Sequence, residues 1–499
     1  MNRITRRSLL KKSGSAAVIA GLGAGIGSPQ ASAEQEPQDG PKDVRLAIIG
    51  TGGRGGGHIK LFSNCTGVKL VAFCDVDQNH VNNKADEFEK TSGTKIARFT
   101  DYRELLKCDN IDAVTIATPN HWHSLMAIHA MQAGKHVYVE KPVCHTLWEG
   151  RQMVEAEKKY DVVCAAGFQN RSVKGVIEAM SIIHSGKFGA VKQIRGLCYR
   201  NRKGIGKSEQ PITPPESVNY DLWLGPAADM PIKRPSLHYD WHWDFNTGNG
   251  DMGNQGPHEM DLVQYALGDL MRHPNTVQSF GGRFAWDDGG NTPNMQCAMF
   301  DYGIGIPVIF EVRNLYQKGK DEKSIGAFGD QSKPNIIVTM EKGEYRGGRS
   351  GGVITDNDGN VVHQFKGGDD HYQNFINAVA NNDSASIRST LQSAFYSSCM
   401  SHLANISLLA GSAASDEQLA EAISGEPLST ECFERFCKQL DLWKVDRTKT
   451  PWQLGSKLTF DSETEQFTAG ENLSTANELL RRKDREPYVV PEFVNLKSG

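Results

Sequence analysis

A glycine-rich loop and an acidic residue have the spacing of a nucleotide site. Residues 50–55 read Gly-Thr-Gly-Gly-Arg-Gly, and Asp75 follows twenty residues after Gly55. Such glycines allow a tight turn and let backbone approach a pyrophosphate at a helix N-terminus, while the carboxylate binds both ribose hydroxyls and repels a 2′-phosphate. We predict NAD, with NADP less favoured; a turn or helix-cap aspartate is the alternative for Asp75. The predicted cofactor contacts here are Gly50, Gly52, Gly53, Arg54, Gly55 and Asp75.

A segment of aromatic and acidic side chains, HYDWHWDF at 238–245, suits a carbohydrate. Aromatic faces stack on the C–H surface of a sugar while polar groups bind its hydroxyls. We predict substrate contacts from Tyr239, Trp241 and Asp244, with a buried aromatic cluster as the equal alternative. His238 and His242 have an HxxxH spacing but lack the glutamate of an HExxH motif, so no metal is predicted.

The segments that must position these residues alternate between apolar runs and helical patterns. The runs VRLAIIG, VKLVAFCD, IDAVTIATP, HVYVEKP and VVCAAG lie between Val44 and Gly167. Continuous apolar strands separated by helices indicate a parallel sheet covered on both faces. We therefore predict an α/β fold in which residues 44–167 form a doubly wound Rossmann domain. Gln169 and Arg171 follow its last strand at the cleft, and we predict that Gln169 faces the cofactor and Arg171 the substrate.

Residues 168–400 show a different pattern, in which a helix near 171–184 precedes several strand-like runs without helices between them. Such runs indicate an antiparallel or mixed sheet, so we predict an α+β second domain. We expect residues 401–499 to form a C-terminal helix and a tail that pack back on the body.

The stretch ATPNHWHSLMAIHAMQAGKHVYVEKP at 117–142 resembles the Gfo/Idh/MocA family, named for glucose-fructose oxidoreductase and inositol dehydrogenase. The resemblance includes the glycine loop and continues to about residue 270 through YDLWLGP at 220–226. It places Lys141 by the nicotinamide and the substrate hydroxyl, where an ammonium stabilises the developing alkoxide; the alternative is a solvated charge. It also implies an open, mostly antiparallel sheet and a possible homo-oligomer. The implied cofactor contacts are Thr118, Pro119, Asn120, His123, Glu140 and Lys141.

A second segment, GNGDMGNQGPHEMD at 248–261, resembles the part of the family that carries a catalytic histidine. His258 matches that histidine, with a capping or core histidine as the alternative. Asn254 stands where the family has an aspartate, and an amide can hold a hydroxyl but cannot take its proton. Lys141 and His258 then remain as the predicted acid-base groups. Because a neighbouring carboxylate is missing, we expect a lowered pKa for His258. Pro257 suits the first turn of a helix, which predicts Asn254 in the preceding loop.

The first 33 residues have the parts of an export signal. A basic head contains Arg6 and Arg7, an apolar stretch spans residues 16–27, and Ala-Ser-Ala at 31–33 supplies a cleavage site. Thr5 to Lys11 also resembles the twin-arginine pattern, whose export machinery carries folded proteins. We predict periplasmic or otherwise exported protein, with a signal at 1–33 and a linker at 34–43. The apolar stretch is too short to span a membrane, which takes about 20 apolar residues.

The charge balance also restricts the partners. The first 33 residues contain five of the 55 basic residues and none of the 59 acidic ones, so the formal net charge falls from −4 to −9 once they are removed. This excess of acidic groups argues against nucleic acid and anionic membranes as partners.

These patterns together predict an exported enzyme, an NAD-dependent oxidoreductase that acts on a sugar, glycoside or polyol. A cofactor exported inside the protein is not replaced outside, so we expect tightly bound NAD that is recycled within each turnover. One alternative is an NAD-dependent glycoside hydrolase that works by oxidation and elimination, an outcome known in relatives of the family. A non-catalytic sugar-binding protein, motivated by Asn254, is the other.

Overall fold

The computed structural model describes residues 43–268, 272–315 and 334–494. The predicted signal at 1–33 and the linker up to residue 42 lie outside the described residues. Within the described chain no helix combines the length and apolar character needed to cross a membrane.

The first domain is a parallel sheet with helices between its strands. Its six strands have the order β3-β2-β1-β4-β5-β6, and every neighbouring pair is parallel. This order is that of a dinucleotide-binding fold, in which ligands bind at the carboxyl ends of the strands. The elements are β1 (Val44–Ile49), α1 (Gly53–Ser63), β2 (Val68–Cys74), α2 (Gln78–Ser92), β3 (Ala97–Phe99), α3 (Tyr102–Leu106), β4 (Ala113–Ile116), α4 (His123–Gln132), β5 (His136–Val139), α5 (Leu147–Tyr160) and β6 (Cys164–Ala166).

The second domain is built on a large, mostly antiparallel sheet. Its strands run in the order β14-β13-β12-β11-β7-β10-β9-β8-β16-β15, with β17 paired to β8 and to β18. Among the described strands of this second sheet, only the pair β7 and β10 is parallel. The strands are β7 (Val191–Arg202), β8 (Thr276–Gly282), β9 (Met295–Asp301), β10 (Val308–Leu315), β11 (Ile336–Met340), β12 (Gly343–Gly348), β13 (Gly351–Thr355), β14 (Val361–Phe365), β15 (Ser412–Ala414), β16 (Trp452–Leu454), β17 (Leu458–Asp461) and β18 (Gln466–Ala469).

Helices cover both faces of this sheet. On one face α9 lies against β7, and α11 lies against β8 and α9. On the other face Phe433 and Phe436 of α13 join a buried cluster with Phe280 of β8 and Ile309 of β10. The helices are α6 (Lys174–His184), α7 (Tyr220–Leu224), α8 (Gly250–Asn254), α9 (Gly256–Leu267), α10 (His371–Asn381), α11 (Leu391–Leu409), α12 (Asp416–Ala422), α13 (Pro427–Leu442) and α14 (Leu473–Glu478).

The predicted fold class is confirmed, with differences of detail that have physical causes. The sheet face expected to be open is partly covered, because apolar side chains of β8 to β10 pack under α12 and α13. The expected division at residue 400 falls inside α11, a continuous and almost wholly buried helix. Asn254 ends the short helix α8 rather than lying in a loop. Pro257 does lie in the first turn of α9, as predicted.

Candidate active site and cofactor cavity

A cavity of about 570 Å³ opens at the carboxyl ends of the parallel strands, between the two domains. It is lined from the first domain by the glycine loop and by the turns after β2, β4 and β5, and from the second by residues near 222, 240 and 258. Of the predicted site residues, those that line it are Gly50, Gly52, Gly53, Arg54, Asp75, Thr118, Pro119, Asn120, His123, Glu140, Lys141, Gln169, Tyr239, Trp241, Asn254 and His258.

Two glycines of the loop lie where the surrounding backbone leaves no space for a side chain. Gly50 has φ +81°, and a Cβ there would lie 2.8 Å from the carbonyl oxygen of Ala117. Gly55 lies behind the loop, inside α1, where a Cβ would lie 1.6 Å from the carbonyl oxygen of Gly50. Helix α1 begins at Gly53, and no side chain caps its N-terminus. Uncapped amides at a helix N-terminus are suited to a phosphate group.

Asp75 follows β2 and connects the glycine loop to the next turn. Its Oδ2 accepts hydrogen bonds from the Thr51 amide at 2.7 Å and the Thr51 hydroxyl at 3.2 Å, and its Oδ1 accepts from the Asp77 amide at 3.0 Å. A carboxylate has about four acceptor positions, so capacity remains for ribose hydroxyls. The Thr118 hydroxyl, also in the lining, is buried without a partner among the described residues. These residues fit a dinucleotide.

Glu140 anchors the turn that carries Lys141. Its Oε1 accepts from Arg54 Nε at 2.7 Å and lies 2.9 Å from His58 Nε2. Burial opposes the ionised form, but Arg54 and His58 hold the pKa of Glu140 well below its usual range. Arg54 also donates to the Tyr372 hydroxyl at 2.6 Å. Arg54 therefore stabilises this buried carboxylate as well as lining the cavity.

Lys141 and His258 line the same cavity from opposite domains. The Lys141 ammonium donates to the carbonyl oxygen of Asn254 at 2.6 Å. Burial lowers the pKa of Lys141, while Glu140 opposes the shift. Burial, with the Lys141 charge as the next cause, holds the pKa of His258 well below its usual range. Within the described chain neither ring nitrogen of His258 has a hydrogen-bond partner, so a neutral imidazole faces the cavity.

A charged pair that the motifs did not indicate stands behind Asn254. Asp251, fully buried in α8, receives two hydrogen bonds of 2.9 Å from Arg202 and one of 3.2 Å from the Asn254 amide. Arg202 also donates to the Tyr239 hydroxyl at 2.8 Å. A carboxylate thus lies close to the position where the family aspartate is missing. The spacing of three residues from Asn254, one helical turn, is the signal that could have found it.

Two predicted substrate residues lie outside the cavity lining. Arg171 forms a buried ion pair with Asp261 at 2.8 Å and packs over the ring of Tyr265. Asp244 forms an ion pair with Arg234 at 3.0 Å and accepts a hydrogen bond from the backbone N–H of Asn246. Both charges are paired within the protein, so the structure does not bring Arg171 and Asp244 together with the other predicted site residues.

Two other predicted residues line the cavity with their polar groups turned to the protein. The His123 ring nitrogens face the carbonyl oxygens of Pro142 at 2.6 Å and Thr118 at 2.8 Å. The Asn120 amide donates to Asn249 at 3.2 Å. These contacts position the turn after β4. Residues in the lining that sequence reasoning did not assign include His80, Trp223, His238, His242 and Arg349.

Comparison with known proteins decides the family. Residues 44–168 match the Gfo/Idh/MocA family described as "Oxidoreductase family, NAD-binding Rossmann fold", and residues 171–319 match its "C-terminal alpha/beta domain". The chain belongs to the Gfo/Idh/MocA family. The resemblance read from the glycine loop, the turn at Lys141 and the segment around His258 is confirmed, and so is NAD as the cofactor of this family.

Curated relatives match less than half of the chain. An "Alpha-N-acetylgalactosaminidase" of Shewanella oneidensis is 34% identical over 206 residues, which cover 38% of this chain and 44% of the relative. A "Glycosyl hydrolase family 109 protein" of Solibacter usitatus is 34% identical over 194 residues, 36% of this chain and 43% of the relative. The match thus spans less than half of each relative.

Solved structures share the fold at low identity. The WlbA dehydrogenase of Bordetella pertussis, in complex with NADH and UDP-GlcNAcA, has a TM-score of 0.52 at 19% identity, covering 72% of this chain and 95% of that one. A levoglucosan dehydrogenase with NADH and levoglucosan has a TM-score of 0.52 at 16% identity, again with 72% and 95% coverage. Both similarities concern the fold.

Proposed function

We propose that the protein hydrolyses a glycoside, with α-N-acetylgalactosaminides as the first class to test, by a redox-neutral reaction that uses bound NAD. The observation that carries this proposal is that one cavity, lined by the glycine loop and Asp75, also contains Lys141 and a His258 whose ring nitrogens have no hydrogen-bond partner among the described residues. The names of the curated relatives support the hydrolytic outcome over the plain oxidoreductase.

Gly50 to Gly55, Asp75 and the turns at Thr118 and Glu140 would hold NAD. When bound, NAD supplies a hydride acceptor and afterwards a hydride donor, so that a ring hydroxyl can be oxidised and later restored. A carbonyl on the ring makes the neighbouring C–H acidic, which allows the glycosidic group to be eliminated and water to be added.

Lys141 is proposed to hold and polarise the reacting hydroxyl. Its ammonium lies at the domain junction, where it donates to the Asn254 carbonyl oxygen at 2.6 Å and to Asn254 Oδ1 at 3.5 Å, which leaves one N–H to direct at a substrate oxygen. Burial makes the charge effective, because water does not screen it there. The lowered pKa also brings its proton closer to the range in which it can be exchanged.

His258 is proposed as the general base. A neutral imidazole with free ring nitrogens can accept a proton from the hydroxyl or from the acidified carbon. Trp241 and Tyr239 supply aromatic surface to the same cavity, suited to the C–H face of a sugar. Tyr239 is exposed and has φ +62°, an uncommon backbone conformation that its hydrogen bond to Arg202 helps to hold.

Export belongs to the proposal because it explains why the cofactor would be recycled. In a compartment that does not supply NAD, an enzyme whose cofactor returns to its starting state in each turnover needs no partner for reoxidation. The twin-arginine pattern at Arg6 and Arg7 motivates this part.

The test is turnover of 4-nitrophenyl α-N-acetylgalactosaminide by purified protein, in water and in deuterium oxide. We expect release of nitrophenol without accumulation of free NADH, and a sugar product that carries one carbon-bound deuterium from solvent. Direct displacement at the glycosidic carbon would leave the sugar without solvent deuterium. Stoichiometric NADH would contradict the proposal and favour a dehydrogenase. Binding without turnover of this and other glycosides would favour a sugar-binding protein.

Variants separate chemistry from cofactor binding. Lys141→Ala and His258→Ala should each lower kcat by about 10² to 10⁴, the usual contribution of an acid-base group, while bound NAD is retained. Lys158→Ala, on the exposed side of α5, is the matched control and should leave kcat unchanged.

A further inference from the structure

The turn that follows Asp75 is fastened to the second domain. The backbone N–H of Gln78 donates to the carbonyl oxygen of Ser217 at 2.9 Å, and the backbone N–H of Asn219 donates to the carbonyl oxygen of Val76 at 2.8 Å. Asp77 and Val218 lie opposite each other between these bonds as an antiparallel bridge. A short segment of the second domain therefore extends across the ribose end of the cavity.

Side chains reinforce this junction. His238 Nε2 lies 3.0 Å from Asp77 Oδ2, and its ring centroid lies 4.4 Å from that of His80. Both histidines line the cavity, whereas Asp77 lies behind them and is buried. The Asp77 Oδ1 accepts from the Asn79 amide at 2.9 Å, which caps α2. The same carboxylate thus orients the helix of the first domain and the histidine of the second.

The segment 217–238, which we name the strap, contains a buried apolar cluster. Val218, Trp223, Leu224 and Leu237 are buried together there, and Val76 of the first domain packs against them. Opening the strap would expose the side of this cluster that packs against Val76 and would break both backbone hydrogen bonds, so the closed position is favoured.

We propose that the strap retains NAD by closing over the ribose end of the cavity, and that the contact between His238 and Asp77 holds it closed. The inference rests on the cavity as the NAD site, as the proposed function does, but it assigns retention to residues that take no part in the chemistry. An enzyme that recycles its cofactor gains from slow release, and the strap lies where release must occur.

The first experiment locks the strap. Asp77 and Val218 form a pair without hydrogen bonds between them, for which Cα atoms lie about 4.5 Å apart, within the range of a disulfide. In the double variant Asp77→Cys, Val218→Cys, oxidised glutathione accepts two electrons and two protons from the thiols, which gives the disulfide and two molecules of reduced glutathione. NAD-loaded protein is diluted without glycoside, and remaining NAD is measured by acid extraction.

We expect the oxidised variant to release NAD at least tenfold more slowly than its reduced form. Wild-type protein, whose ten cysteines are all unpaired, is treated in parallel to control for their oxidation. Equal release rates from a variant shown by mass spectrometry to contain the disulfide would overturn the proposal. Because no glycoside is present, this result is independent of whether the protein hydrolyses one.

The second experiment removes the closing contact. His238→Ala should release NAD about tenfold faster than wild type, whereas His363→Ala, on β14 of the second domain, should release it at the wild-type rate. Asp77, His80 and His238 also have ligand atoms within 4.8 Å of one another, so release is repeated with a chelator. If the chelator leaves the rate of NAD release unchanged, this supports closure by direct contact between His238 and Asp77. Release triggered by the chelator, or a His238→Ala rate equal to wild type, would overturn it.

Discussion

The Lys141 ammonium donates to the backbone carbonyl oxygen of Asn254 at 2.6 Å, which joins the turn after β5 to the end of α8. A backbone acceptor is present whatever the side chain at position 254, so replacing the family aspartate by asparagine does not remove this contact. The Asn254 side chain bridges two groups, because its NH₂ donates to Asp251 at 3.2 Å and its Oδ1 lies 3.5 Å from the Lys141 ammonium. The departure from the family pattern is therefore consistent with an intact proton-handling pair, Lys141 and His258.

Asp75 is expected to set both cofactor affinity and cofactor choice. Asp75→Ala removes the carboxylate that binds Thr51 and, in the NAD complex, the ribose hydroxyls. Hydrogen bonds to charged groups contribute about 1.5–3 kcal/mol, so NAD affinity should fall by roughly tenfold or more and the preference over NADP should narrow. Titration calorimetry of cofactor-free protein with NAD and with NADP measures the two affinities. Asp86→Ala, on the exposed side of α2, is the control. Equal affinity of wild type for NAD and NADP would refute this role.

Much of the cofactor site could be predicted from the sequence because its parts are local. The glycine loop, the strand before it and Asp75 lie within one β-α-β unit, so spacing alone places them together. Lys141 and His258 can be identified from motifs that each span only a few residues. The order of the helices and strands in residues 44–167 followed from the alternation of apolar runs and helical patterns.

The remaining parts depend on contacts between distant segments. Asp251 and Arg202 are 49 residues apart in sequence, and Asp77 and His238 are 161 apart. No spacing rule connects them. The sequence predicts substrate contacts for Arg171, which follows the last strand of the first domain, and for Asp244, which lies in the aromatic segment. Each nevertheless has an ion-pair partner that only the folded chain brings near. A charged residue next to a motif is thus weak evidence of ligand contact.

Glu259 should make stability depend on pH. Burial raises the pKa of this carboxyl to about 8, and its Oε2 has no hydrogen-bond partner among the described residues. A group whose pKa is raised on folding contributes stability that is present below its unfolded pKa, about 4.3, and is lost as the pH rises through about 8. The wild-type unfolding temperature should therefore fall between pH 5 and pH 8 relative to Glu259→Gln.

The measurement is thermal unfolding of both proteins across that pH range. The difference in unfolding temperature should grow by roughly 2 °C or more toward pH 8. Glu104→Gln, at an exposed carboxylate of α3, controls for the loss of one acidic group. Its unfolding temperature should change with pH as that of wild type does. Parallel curves for wild type and Glu259→Gln would contradict a protonated Glu259 in the fold.

Export is tested at the two arginines of the signal. The double variant Arg6→Lys, Arg7→Lys keeps the charge but loses the twin-arginine pair, so the precursor should stay in the cytoplasm with its fold intact. Fractionation with immunoblotting measures location, and NAD content measures folding. Wild-type precursor and the variant Lys11→Arg, Lys12→Arg serve as controls that should be exported. Export of the Arg6, Arg7 variant would show that another route carries the protein.

Asn254→Asp tests whether the carboxylate behind position 254 replaces the missing family aspartate. In the wild type the Asn254 amide donates to Asp251 Oδ1 at 3.2 Å, and Asp251 is fully buried against Arg202. An aspartate there would bring two carboxylates together, and like charges at this separation raise the pKa of the pair, so one proton is shared. The protonated side chain can donate to Asp251 as the amide does, and activity at pH 5 should therefore survive.

Stability of the Asn254→Asp variant should instead fall as the pH rises through the raised pKa of the pair, because both carboxylates then carry charge in a buried site. Unfolding temperature and kcat/KM are measured from pH 5 to pH 8, with Asp251→Asn, Asn254→Asp as the variant that restores one amide and one carboxylate. That double variant should lose the pH-dependent destabilisation even if its changed contact with Arg202 lowers stability at every pH. A pH-independent difference between Asn254→Asp and wild type would mean that the two side chains do not face each other. Loss of activity at pH 5 would assign the amide itself a direct role with substrate.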